Sequence, residues 1–146
     1  MRTLLRFWKA LDDVPGAATD IRDWQIRLGE EFPFACRYLR RTGQLAEAID
    51  CPSPGDNGCP RGVVKIPSGG FRAVCRSRSG RCDSVELQPD DVAISVLDRA
   101  KLVSVLRAAF EMTGAKLPHH TGRVIRLGDY AVAPGLSAPV LLVSSD

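Results

Sequence analysis

The chain has 146 residues, of which 45% are hydrophobic and 25% are charged, and this size and balance predict one globular unit with a single main core. No stretch approaches the roughly 20 apolar residues that a membrane-spanning helix needs. Charges interrupt the first residues of the chain, which therefore lack the apolar centre of a signal peptide. We expect a cytoplasmic protein without a membrane partner.

Three short helices are predicted in the N-terminal part, residues 1–50, from apolar side chains that recur at helical spacing. The first covers 4–11 and ends before a proline and a glycine, which break helices. The second begins after Thr19, a good N-cap residue, and directs Trp24 toward the core. The third covers 33–43, so the N-terminal part is expected to be helical.

The central segment, residues 51–88, opens with ten residues that are almost all of turn-forming types. β-Branched and aromatic residues then concentrate in two runs, 63–66 and 71–75, which a Pro-Ser-Gly-Gly sequence joins. This pattern predicts a β-hairpin with a four-residue loop. A second loop is expected over 76–81, and a short strand over 84–88.

The C-terminal part, residues 89–146, is predicted to combine strands with one well-formed amphipathic helix. A strand over 92–97 leads to a helix over 98–112, which begins with an aspartate N-cap. A final strand pair is expected from 123–127 and 140–143. Together the three parts predict an α+β fold in one compact unit: N-terminal helices, a central hairpin, and C-terminal strands around one helix.

Four of the five cysteines lie in the central segment, with seven, fifteen and six residues between them: Cys51, Cys59, Cys75 and Cys82. Each sits at a loop or a hairpin end, where the backbone can curl around an ion without straining regular structure. A structural zinc site needs four thiolates in a tetrahedral arrangement, with Zn–S distances of about 2.3 Å. We therefore predict that these cysteines bind one Zn²⁺ ion, which staples the hairpin.

Other interpretations of the cysteines stay open at this point. Two disulfides would need an oxidising compartment. Free cysteines are often simply small core residues, as we expect for Cys36 on the third helix. Thiolates can also hold an iron–sulfur cluster, and either His119 or His120 could replace one cysteine as a zinc ligand, although surface histidines are the simpler interpretation.

The positive charge of the chain is concentrated around these cysteines. Residues 51–82 carry six basic side chains against the single Asp56, whereas 1–50 is balanced and 83–146 is net negative. The six are Arg61, Lys65, Arg72, Arg76, Arg78 and Arg81. Four thiolates around Zn²⁺ carry a formal charge of −2, so part of this excess balances the metal site.

The sequence favours a non-catalytic binding module over an enzyme. It contains no nucleophile motif and no phosphate-binding loop, and no small-molecule substrate is evident. A metal with four cysteine ligands also has no open position for water. The basic hairpin and loop predict contact with nucleic acid. The alternative is a protein-docking or assembly subunit of a bacterial multi-protein system, a role that suits small stapled modules with sheet edges.

The cysteine segment resembles a known class of small zinc modules. It runs from Cys51-Pro-Ser-Pro-Gly through Gly-Cys59-Pro-Arg to the hairpin and the closing Cys75 and Cys82. This arrangement is similar to the zinc-ribbon and treble-clef modules of bacterial regulatory and nucleic-acid-associated proteins, over about a fifth of the chain. The resemblance implies that the four cysteines are the metal ligands.

Overall fold

The structure, a computed structural model, describes residues 5–51, 59–77, 82–114, 120–121 and 124–143. Helices and strands are both present and the strands form several small sheets, so the predicted α+β class is confirmed. No helix within these ranges combines the length and the apolar character that crossing a membrane requires.

The described ranges contain four α-helices and ten strands, most of them short. The helices are α1 (Leu5–Asp13), α2 (Ile21–Leu28), α3 (Phe32–Ala35) and α4 (Arg99–Ala109). The strands are β1 (Ala18–Asp20), β2 (Leu39–Leu45), β3 (Ala48–Asp50), β4 (Pro60–Lys65), β5 (Phe71–Cys75), β6 (Val85–Leu87), β7 (Ala93–Leu97), β8 (His120–Thr121), β9 (Val124–Ala133) and β10 (Leu136–Val143).

Within the described part of the chain these strands form three antiparallel sheets. In the first sheet β7 lies between β1 and β2, so a C-terminal strand pairs with two N-terminal strands. The second sheet has the order β3-β4-β5-β6, and the third has the order β10-β9-β8. Because β7 pairs with both β1 and β2, residues 1–50 and 89–146 share a sheet and fold together.

The main core lies between α1, α2 and the first sheet. Trp24 and Leu28 of α2 have no exposed surface, and Phe7 and Ala10 of α1 are buried in the same cluster. The Trp24 indole Nε1 donates a hydrogen bond of 3.0 Å to the backbone oxygen of Ser95 in β7, and a buried indole N–H needs such a partner. The predicted core position of Trp24 is confirmed.

Helix α2 has Asp20 as its N-cap, one residue after the predicted Thr19. The Asp20 carboxylate accepts hydrogen bonds of 3.0 Å from the backbone N–H groups of both Arg22 and Asp23. Burial raises the pKa of Asp20 above its usual value, although these N–H donors act in the opposite direction. The carboxylate therefore caps the helix while it is itself partly desolvated.

We predict that Asp20→Asn removes a pH dependence of stability. Because the native pKa of Asp20 is raised, the native state binds more protons than the unfolded state between the two pKa values. The free energy of unfolding therefore falls as pH rises through that window. Asparagine caps a helix about as well as aspartate but does not titrate. Urea unfolding at a series of acidic to neutral pH values should give a flatter profile for Asp20→Asn than for the wild type.

The control for this prediction is Asp20→Ala, which removes both the cap and the titration. It should lower the free energy of unfolding by about 1 kcal/mol, since alanine is a poor N-cap. If the free energy of unfolding of Asp20→Asn depended on pH as steeply as that of the wild type, the Asp20 carboxyl group would not be the cause of the pH dependence.

The third predicted helix is wrong beyond its first turn. Helix α3 ends at Ala35, and after a 3-10 turn the chain enters β2 instead of continuing as a helix to Gly43. Pairing with β7 explains the difference, because hydrogen bonds to a distant strand outweigh local helical spacing. Thr42 Oγ1 adds a 3.1 Å hydrogen bond to the backbone oxygen of Ile94. With β1 and β3, residues 1–50 thus hold three strands beside their helices.

The C-terminal part follows the prediction except that α4 is shorter, the final two strands are longer, and β8 adds a third strand to their sheet. Asp98 caps α4 with a 3.0 Å hydrogen bond, as predicted. The helix ends at Ala109 rather than near Met112, because Thr113 then forms a β-bridge to the third sheet. Strands β9 and β10 are longer than predicted and meet at Gly135, whose φ of 77° suits a tight turn.

Candidate metal centre

Strand pairing brings the cysteines to one end of the second sheet. Strands β4 and β5 form the predicted hairpin, with Arg61 opposite Cys75. Cys59 directly precedes β4, and Cys75 is the last residue of β5. Cys51 follows β3, and its N–H donates a 3.2 Å hydrogen bond to the backbone oxygen of Cys59. Three cysteines thus lie at the ends of neighbouring strands, and Cys82 lies beside them before β6.

The sulfur atoms are close enough to share one ion. Those of Cys59, Cys75 and Cys82 all lie within 4.8 Å of one another. The Sγ atoms of Cys59 and Cys75 are 3.2 Å apart, and those of Cys51 and Cys82 are 3.8 Å apart. Both distances exceed the roughly 2.05 Å of a disulfide bond, and all four cysteines are free thiols. The three clustered cysteines could therefore bind a metal ion.

Hydrogen bonds around the cluster favour an ionised sulfur at Cys75. The contact with the Cys59 sulfur lowers the pKa of Cys75. The backbone N–H groups of Ser77, at 3.4 Å, and of Cys82 act in the same direction. The contact raises the pKa of Cys59, as expected for the thiol that donates. Since the thiolate is the form that binds metals, the backbone around Cys75 is already arranged for a ligand.

Arg61 is buried beside the cluster and does not lie on the surface. With 2% of its surface exposed, it directs Nε and Nη2 to the Cys51 sulfur, at 3.3 and 3.2 Å. Its Nη1 donates to the backbone oxygen of Asp83 at 2.5 Å. The hydrogen bond with Cys51 raises the pKa of Arg61. The prediction that Arg61 contacts an external partner is thus corrected, because its guanidinium faces inward and is already engaged.

The other described basic residues lie on or near the exposed surface of the second sheet. Arg72 forms a 3.3 Å ion pair with Glu86, so its charge is locally balanced. The guanidinium of Arg76 covers Gly62 so closely that a Cβ atom would find no room there. Lys65 is exposed at the loop end of the hairpin. Arg78 and Arg81, also predicted to contact a partner, lie outside the described residues.

We define the outer face of the second sheet as Gly62, Val64, Arg72, Val74 and Glu86, which strand register places on one side. Val64 and Val74 are 44% and 41% exposed. The opposite face carries the small apolar core of this sheet. The outer face therefore combines exposed apolar side chains with an ion pair, and Arg76 lies against it.

The remaining candidate ligands lie elsewhere in the chain or outside the description. Cys36 is half-buried after α3, and its Sγ donates to the backbone oxygen of Pro33 at 3.5 Å, so it does not belong to the sulfur cluster. His120 begins β8 in the third sheet. His119 lies outside the described residues, and a role for either histidine stays a prediction.

Sequence reasoning missed the contact between Arg61 and Cys51. A signal for it was present, because Arg61 is two residues after Cys59, and side chains two residues apart share one face of a strand. An arginine at that position can therefore turn toward the same side as a metal ligand. The prediction that Arg61 is a surface charge did not take into account that side chains alternate between the two faces of a strand.

No family model matches this sequence, and neither a curated protein nor a solved structure matches it. The similarity to zinc-ribbon modules therefore stays a prediction from the cysteine segment. The chemistry of the centre follows from its own geometry, which groups three thiols and places a fourth, held by a buried arginine, at their edge.

Proposed function

We propose that this protein is a non-catalytic binding module that one Zn²⁺ ion stabilises, with Cys51, Cys59, Cys75 and Cys82 as ligands. The grouping of sulfur atoms at the ends of β3, β4 and β5 supports this assignment. Four sulfurs placed tetrahedrally about 2.3 Å from zinc lie about 3.8 Å from one another, which is the distance between the Cys51 and Cys82 sulfurs, whereas those of Cys59 and Cys75 are 3.2 Å apart. Thiolate-rich sites favour zinc over hard cations such as Mg²⁺ or Ca²⁺.

The role of the ion in this proposal is structural. Four thiolates fill the coordination sphere of zinc, so no position is open for water or substrate. The proposed ligands lie at the ends of β3, β4 and β5 and just before β6, so one ion would crosslink several segments of the second sheet. The surface around the centre, rather than the metal itself, then carries the binding function.

We further propose that nucleic acid is contacted by Arg76 and by Arg78 and Arg81, which follow it in the sequence, with Lys65 as a separate contact at the opposite end of the hairpin. Arg76 lies beside the metal ligands and is exposed. The segment keeps a positive excess after Arg61 is assigned to the metal centre and Arg72 is matched with Glu86. Basic side chains that are close together in the sequence, as Arg76, Arg78 and Arg81 are, can bind phosphates without a need for base-specific contacts.

Binding of labelled duplex DNA and single-stranded RNA, followed by fluorescence anisotropy, tests this surface. The dissociation constant should rise steeply with salt. Each phosphate contact on duplex DNA contributes about −0.9 to the slope of the logarithm of the association constant against the logarithm of the salt concentration. The double variant Arg76→Glu with Arg78→Glu should lose binding. The control variant Arg40→Glu with Lys101→Glu makes the same charge change at exposed positions on β2 and α4 and should bind far better. Undetectable binding of the wild type at low salt would rule the surface out.

A protein-docking role is the second candidate, and the outer face favours it. Its exposed Val64 and Val74, next to the Arg72–Glu86 pair, resemble the mixture of apolar and paired charged groups in protein interfaces. A docking role predicts a defined protein complex that survives moderate salt, whereas phosphate contacts weaken. Replacing Val64 with serine, which adds no charge, should weaken such a complex and leave nucleic-acid binding nearly unchanged.

A further inference from the structure

We infer that Arg61 sets the strength of metal binding, because it holds the Cys51 sulfur in position as the fourth ligand and balances part of the charge of the centre. This inference rests on the proposed zinc site and assigns to one buried residue the control of that site. It also separates Arg61 from the basic residues that face a partner.

The Arg61 guanidinium contacts two separate parts of the chain. Two nitrogens of Arg61 point at the Cys51 sulfur, at 3.3 and 3.2 Å, and the third reaches the backbone oxygen of Asp83. Asp83 directly follows Cys82, whose sulfur lies 3.8 Å from that of Cys51. One guanidinium therefore ties together the two chain segments that deliver Cys51 and Cys82.

Cys51 lies at the edge of the sulfur cluster, where Arg61 contacts it. The sulfurs of Cys59, Cys75 and Cys82 form a mutually close group, and Cys51 lies at its edge next to Cys82. Backbone N–H groups of Ser77 and Cys82 support the Cys75 sulfur. The Cys51 sulfur accepts hydrogen bonds from the Arg61 side chain, so Arg61 contributes to its placement.

The buried positive charge of Arg61 also suits a metal centre with thiolate ligands. An arginine that is 2% exposed needs an anionic partner, because burial of an uncompensated cation is strongly unfavourable. Arg61 directs two of its nitrogens at the Cys51 sulfur, so a metal-bound thiolate at that position would supply the partner. A zinc ion with four thiolates carries a formal charge of −2, and a buried guanidinium offsets half of it.

Strand register explains why this position suits arginine. Arg61 lies in β4 opposite Ile49 of β3 and Cys75 of β5, on the inner face of the sheet. From there its planar fork spans a sulfur and a carbonyl oxygen at once. The single ammonium group of lysine is a point charge without this fixed fork, so lysine should preserve the charge but lose the two-sided contact.

The experiment measures zinc affinity by competition with a chelator, and ligand geometry by the thiolate-to-metal absorption of the Co²⁺-substituted protein. Arg61→Gln should weaken zinc binding roughly 10- to 100-fold, the loss typical when a residue that supports a metal ligand is removed. It should also change the Co²⁺ absorption, because Cys51 is then held less well. Arg61→Lys should recover part of the affinity. Arg72→Gln, in the same sheet but on its outer face, is the matched control and should bind zinc like the wild type.

A double-mutant comparison tests whether Arg61 acts through Cys51. In a Cys51→Ser background, adding Arg61→Gln should reduce zinc affinity much less than it does in the wild-type background, since the sulfur that Arg61 supports is absent and only its charge and its contact with Asp83 remain. An equal loss in the two backgrounds would show that Arg61 does not act through Cys51, and the inference would be wrong. An affinity of both Arg61→Gln and Arg61→Lys within twofold of the wild type would also overturn it.

The failure of this inference can be told apart from the failure of the proposed function. If the wild-type chain binds neither Zn²⁺ nor Co²⁺, the zinc site itself is refuted. If the wild type binds both tightly and the Arg61 variants bind equally well, the site stands and the role of Arg61 is refuted. Circular dichroism at saturating metal shows whether each variant is folded, and Arg61→Lys gives the answer if Arg61→Gln does not fold.

Discussion

Replacement of Cys75 with serine is expected to abolish tight metal binding and to unfold the second sheet. Cys75 ends β5, its sulfur lies 3.2 Å from that of Cys59, and it belongs to the group of three clustered thiols. Serine offers a hydroxyl that is a poor zinc ligand at neutral pH. Without Cys75, the proposed site would lose one of the two ligands that lie at the ends of the hairpin strands.

The size of this effect follows from the small core of the sheet. Its buried apolar residues are Ile49, Ala73, Leu87 and Val92, and a large apolar side chain contributes about 1.5–3 kcal/mol when buried. Ordering the backbone costs about 1–2 kcal/mol for each residue. Structural zinc in small peptides binds with about 10–16 kcal/mol at neutral pH. A zinc ion bound at the proposed site would therefore contribute an amount comparable to the whole net stability of a typical domain, about 5–15 kcal/mol.

Thermal unfolding by circular dichroism, with and without a chelator, measures this prediction. The wild type should melt at a much lower temperature once the metal is removed, and Cys75→Ser should resemble the chelated wild type. Cys36→Ser is the matched control, because it makes the same atomic change at a cysteine outside the cluster. If Cys75→Ser melted like Cys36→Ser and kept its metal, Cys75 would not be a ligand.

The second large effect is expected at Trp24. Its side chain has no exposed surface, packs in the main core, and donates a 3.0 Å hydrogen bond to Ser95. Trp24→Ala should lower the free energy of unfolding by about 3–5 kcal/mol from the cavity alone. Loss of the hydrogen bond leaves the Ser95 oxygen without this donor, which adds about 1–3 kcal/mol. The sum is a large fraction of the stability of a domain of this size.

Trp8 provides the comparison for Trp24, since it is the same residue type at a position that is 39% exposed. Trp8→Ala should cost clearly less, because part of its surface is in water before the change. Urea unfolding of both variants at one temperature gives the two values. Trp24→Phe, which keeps much of the buried volume and loses the hydrogen bond, should fall between Trp24→Ala and the wild type. An equal or larger loss for Trp8→Ala would contradict the assignment of the core.

Local signals in the sequence were sufficient for some elements. The hairpin of β4 and β5 was predictable because β-type runs flank a glycine-containing turn, and α4 because an aspartate cap precedes an amphipathic run. Trp24 was predictable as a core residue from helical spacing. In each case the neighbours that decide the structure lie within a few residues.

The parts that could not be predicted depend on partners far away in the sequence. Strand β2 carries residues that also fit a helix, and it becomes a strand because it pairs with β7, more than fifty residues away along the chain. The same limit applies to the metal centre. The grouping of cysteines could be expected from residue type and position, whereas the inward orientation of Arg61 depends on how β4 sits between β3 and β5.

Part of the positive charge of the central segment is engaged within the protein. The sequence shows six basic side chains there. The structure assigns Arg61 to the cysteine cluster and matches Arg72 with Glu86, so the charge available to an external partner is smaller and more localised. A nucleic-acid contact, if the binding experiment supports it, is therefore expected to centre on Arg76 and the loop that follows it.

The most direct test of the zinc-stapled module is the metal content of the chain purified without added metal. Elemental analysis measures the bound metal, and titration of reactive thiols in the native state measures whether the cysteines are accessible. We predict one zinc ion per chain, with Cys51, Cys59, Cys75 and Cys82 protected from thiol reagents until a chelator is added. A metal-free preparation with four reactive thiols at these positions and an undisturbed fold would contradict the proposal.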